Sequence, residues 1–276
     1  MKKMLYLAAV GLMALLTVSC SEDDIEYFQK QYGVKPVKAL TFTRLSSDDG
    51  DMVVNFLNTY DGRGRLVDCI IDAWHMRLTA EYKQNSAVFH VFGRQDGEDQ
   101  PEGTRLTATL SNGKITTIDL LYPDDDLGWV KDMQIDYEYD ADGKPIVRSV
   151  DDDPVYFTWE DGNMTSMSWD TKEAPHGELL DCTNIYEIAY SDQPNKVGVI
   201  PNVILNGMDA FSILGDFYFK NLPISATRIK KWKDSGEEEE EEGSITTFDW
   251  ELDTNGFPLS VTMINGSTTA KIEFQY

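Results

Sequence analysis

The chain has 276 residues, of which 24 are basic and 48 are acidic, so its formal net charge is −24. A surface this acidic repels nucleic acid and anionic lipid headgroups, so we expect no nucleic-acid partner. Hydrophobic residues make up 41% of the chain, which is enough for a folded core and excludes global disorder.

Residues 1–19 are predicted to be a lipoprotein signal peptide. A basic start precedes an apolar run that is too short to be a typical membrane span. The segment Thr17-Val18-Ser19-Cys20 then resembles the lipobox, at which signal peptidase II cleaves before a lipidated cysteine. Thr17 departs from that motif, because leucine usually stands three residues before the cysteine. We expect lipidation at Cys20, and an ordinary secretory signal is the alternative.

Residues 20–36 are predicted to be a lipidated, acidic tether. The segment Ser21-Glu22-Asp23-Asp24 follows the cysteine directly. It resembles the export signal by which lipoproteins of the Bacteroidetes type reach the outer face of the outer membrane. A solvated linker is the alternative, since tethers are generally polar. The expected location is therefore the cell surface, with a lipid anchor in the outer membrane.

Residues 37–276 are predicted to form a single β-rich domain. In Ile135–Tyr139, apolar or aromatic residues alternate with acidic ones, which places the two kinds on opposite faces of a strand. Turn signals such as Asn112-Gly113 separate segments of this kind at short intervals. We predict a mainly β fold, a long antiparallel meander of hairpins twisted into a sandwich or a half-open barrel.

Four segments interrupt this pattern. The apolar period changes in Pro194–Pro223, where one short helical insertion is predicted near 206–219. Arg94–Gly103 and Asp170–Thr183 are polar and are predicted to be loops. Six consecutive glutamates, Glu237–Glu242, repel one another, so they are predicted to form a protruding disordered loop.

Two cysteines remain once Cys20 is assigned to lipid. An oxidising compartment permits a disulfide between Cys69 and Cys182. Nothing in the sequence brings the two residues together, so two buried free thiols are the prediction.

Three segments repeat one unit, in which an aromatic strand turns on Asp-x-x-Gly and continues into Leu or Pro. The copies are Thr59–Leu66, Tyr137–Pro145 and Phe248–Leu259. They resemble YD-type hairpin repeats. Read in this way, the acidic residues of Tyr137–Pro145 form the solvated face and the turn of a hairpin.

The order of motifs over residues 105–276 carries a second resemblance. Phe157-Thr158-Trp159-Glu160-Asp161-Gly162-Asn163-Met164 precedes Tyr190-Ser191-Asp192-Gln193-Pro194-Asn195-Lys196, and Lys220-Asn221-Leu222-Pro223 precedes the Asp-Thr-Asn-Gly-Phe-Pro hairpin. This order resembles an uncharacterised family of Bacteroidetes outer-membrane lipoproteins, a domain of unknown function. The resemblance implies a β-rich fold and an envelope location. It implies no established reaction, so no catalytic residue is carried over.

The chain has no recognisable reaction motif. Its three histidines lack metal-ligand spacing, there is no Cys-x-x-Cys, and serine-nucleophile and phosphate-binding motifs are missing. Asp140-x-Asp142-Gly143 resembles the start of a calcium loop, but the central acid is missing and a hairpin turn explains it. A weak calcium site built from several acidic loops stays open. We predict no catalytic residue, no resident metal and no cofactor.

The aromatic residues are the better functional candidates. The chain has 6 Trp, 13 Tyr and 12 Phe, and exposed aromatic rings can stack on sugars. Trp129, Trp169 and Trp232 lie near predicted loops and are the candidate binding residues. The preferred function is a non-catalytic binding or accessory module for a glycan or an envelope protein. The alternatives are an envelope glycan hydrolase and a structural or carrier protein of the outer membrane.

Overall fold

The computed structural model describes residues 37–45, 52–62, 65–112, 114–173, 180–197, 219–233 and 238–276, and of 238–244 it describes the backbone alone. The predicted signal peptide, the tether and the lipidation residue Cys20 lie outside these residues. The helix predicted near 206–219 also lies outside them, apart from Phe219, which belongs to no regular element.

The described residues form sixteen strands and contain no helix, so the prediction of a mainly β fold is confirmed. The strands are β1 Ala39–Leu45, β2 Met52–Tyr60, β3 Leu66–Ile71, β4 Met76–Lys83, β5 Ser86–Gln95, β6 Glu98–Ser111, β7 Lys114–Asp124, β8 Gly128–Tyr139, β9 Pro145–Val150, β10 Asp153–Glu160, β11 Asn163–Glu173, β12 Leu180–Pro194, β13 Asn221–Trp232, β14 Glu238–Leu252, β15 Pro258–Asn265 and β16 Thr268–Gln275. No helix in the described ranges is long and apolar enough to cross a membrane.

The sheet is one closed antiparallel barrel. Each strand pairs with its neighbours in sequence, and β1 pairs with β16 from Ala39 opposite Gln275 to Leu45 opposite Thr269. The predicted sandwich or half-open barrel is therefore wrong. Hairpin motifs predict pairing only between strands that are adjacent in sequence, whereas closure of the barrel pairs the first strand with the last. Closure also pairs the backbone groups that two edge strands would leave open.

The predicted loop at Arg94–Gly103 is wrong, because β5 and β6 continue through it. Arg94 pairs with Asp99 and Gln95 pairs with Glu98. Asp96 and Gly97 make the turn with φ of 52° and 85°. An Asp-Gly pair supplies the left-handed conformations that a two-residue turn requires, so no long loop is needed.

Two other predicted loops are also shortened by pairing. In Asp170–Thr183, β11 continues to Glu173 and β12 begins at Leu180. In the glutamate run, the backbone of Glu238–Glu242 belongs to β14, and Glu238 and Glu239 are in register with two lysines of β13. The prediction of a disordered loop is wrong for this part of the run, because a partner strand cannot be seen in the composition of the segment itself.

The inside of the barrel is apolar along most of its length. On β1, Leu40 and Phe42 are 1% and 0% exposed, whereas Thr41 and Thr43, which alternate with them, face outward. The same alternation continues around the barrel, so that polar side chains dominate the outer surface. The buried side chains form one core cluster that draws residues from strands all around the barrel.

Aromatic side chains tie the strands together at one end of the barrel. We call this the proximal end, because Val37 and Tyr276 both lie there, and we call the opposite end distal. At the proximal end, the polar tip of an aromatic residue donates a hydrogen bond to a backbone carbonyl at the start of the preceding strand. These aromatic clasps are Tyr60–Val37, Tyr82–Leu66, Tyr139–Ile115, Trp159–Pro145, Tyr190–Met164, Trp250–Pro223 and Tyr276–Pro258, with donor–acceptor distances of 2.7–3.0 Å.

The turns of the three repeated segments share one pair of hydrogen bonds. In the second copy, the Asp140 backbone N–H donates to the Lys144 carbonyl at 2.9 Å, and the Asp140 carboxylate accepts the Lys144 N–H at 2.8 Å. Asp61 and Asp253 make the same two bonds in their own turns. The carboxylate of Asp140 is thus a structural part of the hairpin turn.

Candidate functional site

The structure separates the three candidate tryptophans. Trp129 of β8 lies on the outer face of the barrel, where the Arg105 guanidinium carbon is 4.1 Å from the centroid of its ring system. Trp169 of β11 and Trp232 of β13 lie on the inner face near the distal end, on either side of β12. Two of the three candidates therefore belong to one place in the fold.

One row of inward-facing residues crosses the barrel wall at this place. Arg148 of β9 is connected to Trp169 through Val155, Trp169 is opposite Asn184 of β12, and Asn184 is opposite Lys230 of β13. Residues directly opposite one another in a sheet share a face, so these side chains all point inward. We call Arg148, Trp169, Asn184 and Lys230 the inner row.

Aromatic residues flank the inner row on both sides. Trp169 stacks on Tyr186, with 5.6 Å between ring centroids and 29° between the ring planes. On the distal side, the Lys230 ammonium is 5.6 Å from the ring of Trp232, which is 9% exposed. Aromatic faces and cationic groups thus alternate along this part of the wall.

The charged groups of the site are held in fixed positions. The Lys230 ammonium, with a side chain only 7% exposed, donates to Glu173 Oε2 at 2.6 Å. Arg228 donates from Nε and Nη2 to Asn184 Oδ1 at 3.2 and 2.9 Å. Burying an ammonium costs free energy unless a carboxylate contacts it, and Glu173 supplies such a contact to Lys230 inside the wall.

The site opens toward solvent at the distal end. The side chains of Glu173 and Arg228 are 33% and 24% exposed. Asn184 is 1% exposed, and its Nδ2 has no hydrogen-bond partner. The arrangement offers N–H donors, one carboxylate acceptor and a stacked aromatic pair, which can bind a polar, ring-shaped ligand.

The described ranges contain no candidate metal site. No group of three or more His, Cys, Asp or Glu side chains converges there in a way that could hold a metal ion. Within these ranges Cys69 of β3 and Cys182 of β12 form no disulfide, and both side chains are 0% exposed. Burial raises the pKa of the Cys69 thiol to about 12.

Most of the residues that surround Trp169 were not predicted from the sequence. Arg148, Asn184, Tyr186, Arg228 and Lys230 were not identified as candidates. One signal was present, since Arg228, Lys230 and Trp232 alternate in phase with the fully buried Ala226 along β13. Cationic residues on the apolar face of a strand mark a position where charge lies inside the fold.

No protein-family model matches the chain, and no curated protein matches it. Solved structures that match include a porin-like protein from Bacteroides uniformis ATCC 8492, which is 17% identical with a TM-score of 0.48 and covers 88% of this chain and 98% of its own. A porin-like protein from Bacteroides vulgatus ATCC 8482 is 13% identical with a TM-score of 0.44, and the match covers 87% of this chain and 98% of that one.

Proposed function

We propose that this protein is a non-catalytic binding module that holds a glycan against the inner row at the distal end of the barrel. The observation that carries the proposal is the stacked pair Trp169–Tyr186 beside Arg228, Lys230 and Glu173. Sugar rings have apolar faces that pack on aromatic rings and hydroxyl groups that bond to such donors and acceptors. Ligand sites commonly combine an aromatic lining with a few placed polar groups.

The contrast along the same strands supports a binding role for this wall. Nearer the proximal end, the inward positions of β12 and β13 are apolar, for example at Ile188 and Ala226. A wall that served only as core would continue this pattern. Instead it buries Lys230 and leaves Asn184 Nδ2 without a partner, each of which costs free energy.

We further propose that the barrel stands outside the lipid and is attached by a lipid on Cys20 to the outer membrane. The outer surface supports this. Polar side chains predominate there and exposed apolar ones are interspersed among them, as Leu57 is between Asn55 and Thr59, whereas barrels that span a membrane carry a continuous apolar band on the outside. β1 starts at the proximal end, so the tether leaves from that end. Residues 21–36 can span at most about 55 Å, which leaves the distal end free to face away from the membrane.

The test compares two tryptophan variants in glycan binding. The chain from Ser21 onward retains every residue of the barrel and is applied to an array of bacterial and plant glycans. We expect the wild type and Trp129→Leu to bind the same glycans, and Trp169→Leu to lose them while remaining folded, with a far-ultraviolet circular dichroism spectrum like that of the wild type. Retention of binding by Trp169→Leu would reject this site, and failure of the wild type to bind any glycan would reject the proposed ligand class. In the latter case, a pull-down with envelope proteins tests the other partner class.

A further inference from the structure

Asn184 and Lys230 are neighbours inside the barrel wall. They are directly opposite one another in the antiparallel β12–β13 register, and both side chains point inward. Opposite residues of such a pair have Cβ atoms about 5 Å apart, a distance that the long side chain of a lysine can cover. Asn184 is 1% exposed and the side chain of Lys230 is 7% exposed. A lysine nitrogen and a carboxamide are therefore buried together on adjacent strands.

A carboxylate contacts the lysine nitrogen. Glu173 Oε2 accepts a hydrogen bond from Lys230 Nζ at 2.6 Å. This hydrogen bond is a direct path for a proton from the ammonium to the carboxylate, and loss of that proton turns the lysine into a nucleophile. Burial of the Lys230 side chain favours the transfer, since a buried charge costs free energy that a neutral amine does not.

A guanidinium polarises the amide of Asn184. Arg228 donates from Nε and Nη2 to Asn184 Oδ1 at 3.2 and 2.9 Å. Both bonds end on the carbonyl oxygen, where negative charge accumulates when a nucleophile attacks the amide carbon. The amide nitrogen Nδ2 has no hydrogen-bond partner among the described residues, so no contact there holds it back as a leaving group.

We propose that Lys230 and Asn184 join spontaneously through an isopeptide bond. Glu173 takes a proton from Lys230 Nζ, and the neutral amine attacks Asn184 Cγ, so that a bond forms between Nζ and Cγ. The Cγ–Nδ2 bond then breaks, and Nδ2 leaves as ammonium with the proton held by Glu173 and one more from Nζ. Glu173 is a carboxylate again, and no oxidant, reductant or cofactor is consumed.

The bond accounts for two unfavourable features of the wall. It replaces the buried ammonium of Lys230 by a neutral amide, and it removes the unpartnered Nδ2 of Asn184. It also ties β12 to β13 covalently, next to the stacked pair Trp169–Tyr186. The inference goes beyond the proposed function and does not rest on it, because the reacting groups all belong to the chain and no ligand takes part.

Mass spectrometry of the reduced chain from Ser21 onward tests the bond. Loss of one ammonia lowers the mass by about 17 Da relative to the sequence. Because trypsin does not cleave after an acylated lysine, we expect a digest to contain residues 173–196 joined to residues 229–231. A chain with the full sequence mass, or one whose missing ammonia maps to a succinimide at an Asn-Gly turn, would overturn the proposal. Neither measurement involves a glycan, so its outcome is separate from that of the proposed function.

Variants of matched charge assign the roles. Lys230→Arg keeps the positive charge but lacks the amine, so it should have its full mass, whereas Lys231→Arg on the adjacent outward position should still lose ammonia. Glu173→Gln removes the base and should react at least about tenfold more slowly than the wild type. Glu239→Gln, which removes the carboxylate opposite Lys230 in the β13–β14 register, should react at the wild-type rate.

Two outcomes among the variants contradict the mechanism. Loss of ammonia in Lys230→Arg would show that another group reacts, and reaction of Glu173→Gln at the wild-type rate would overturn Glu173 as the base. The linked peptide is sought in the wild type itself, so a variant that fails to fold does not leave the bond untested.

Discussion

The indole Nε1 of Trp159 donates a hydrogen bond to the carbonyl oxygen of Pro145 across 2.7 Å, which ties the end of β10 to the start of β9. The same relationship recurs in the other aromatic clasps, with tyrosine in place of tryptophan at most of them. Each clasp places an apolar ring in the core and satisfies its polar tip with a backbone group. The proximal end is thereby held by side chains as well as by the sheet.

Removing one clasp hydroxyl should destabilise the barrel measurably. Tyr190 is the best position, because its hydroxyl donates to the Met164 carbonyl at 2.7 Å and its burial raises the pKa of the phenol. Tyr190→Phe leaves that carbonyl without this donor, and we expect a loss of about 1–2 kcal/mol in the free energy of unfolding measured with urea. Tyr156→Phe is the control, because Tyr156 is 50% exposed on the outer face, and it should change stability by less than about 0.5 kcal/mol. Equal losses in both variants would contradict a structural role for the clasp.

Gly143 should be sensitive to substitution because of its backbone conformation. Its φ is +79°, which L-residues with a side chain adopt at a cost. An added Cβ would also overlap the Lys114 ammonium, which donates to the Gly143 carbonyl at 2.7 Å, although that flexible end can move away. We expect Gly143→Ala to lower the free energy of unfolding by about 1–2 kcal/mol.

Two other glycines provide the comparison for Gly143. Gly256 has a φ of +77° in the equivalent turn, so Gly256→Ala should cost a similar amount. Gly62 has no left-handed φ and nothing within 4 Å of an added Cβ, so Gly62→Ala should be nearly neutral. If all three substitutions cost the same, left-handed strain would not be the cause.

Both cysteines of the barrel should be unreactive until the protein unfolds. Both side chains are 0% exposed, so reagents cannot reach them, and burial also raises the pKa of Cys69 to about 12, which disfavours its reactive thiolate. In the chain from Ser21 onward, we expect Ellman's reagent to label no thiol in the native state and both thiols in guanidinium. A denatured, unreduced sample with no reactive thiol would show that Cys69 and Cys182 pair as a disulfide.

Acid should weaken the ion pairs that Glu102 makes with His90 and Arg105 on the outer face. Burial pushes the pKa of the Glu102 carboxyl upward, but hydrogen bonds from Arg105 and His90 together outweigh it and hold that pKa below its ordinary value of 4.5. Because the folded-state pKa is the lower one, the stabilisation is present above pH 4.5 and is lost as the pH falls through the folded value. The stability of Glu102→Gln should therefore depend less on pH below about 4.5 than that of the wild type. Glu98→Gln, at the exposed hairpin tip, should keep the wild-type profile.

Local chemistry made the strands and the repeated turn predictable. An aspartate that accepts the N–H four residues ahead, followed by a glycine with positive φ, forms the hairpin turn at both Asp140 and Asp253. The alternation in Ile135–Tyr139 likewise determines its own buried face, since Ile135 and Tyr137 are 3% and 6% exposed.

The binding wall was predictable only in part. Trp169 and Trp232 could be singled out because they lie near breaks in the strand pattern. Their meeting with Arg148, Asn184 and Lys230 depends on the register of five strands, including a bulge in the β10–β11 pair between Thr158 and Trp159. A shift of one residue in any of these pairings would turn the next strand's side chains to the other face.

The seam between β1 and β16 also decides when folding can finish. β1 is the first strand to be synthesised, but its second partner, β16, is the last strand of the barrel. Until that strand arrives, Leu40 and Phe42 lie on an open edge that another copy of the chain could pair with. Contacts this distant in sequence form slowly, so the arrival of β16 sets the interval during which the nascent barrel needs protection from aggregation.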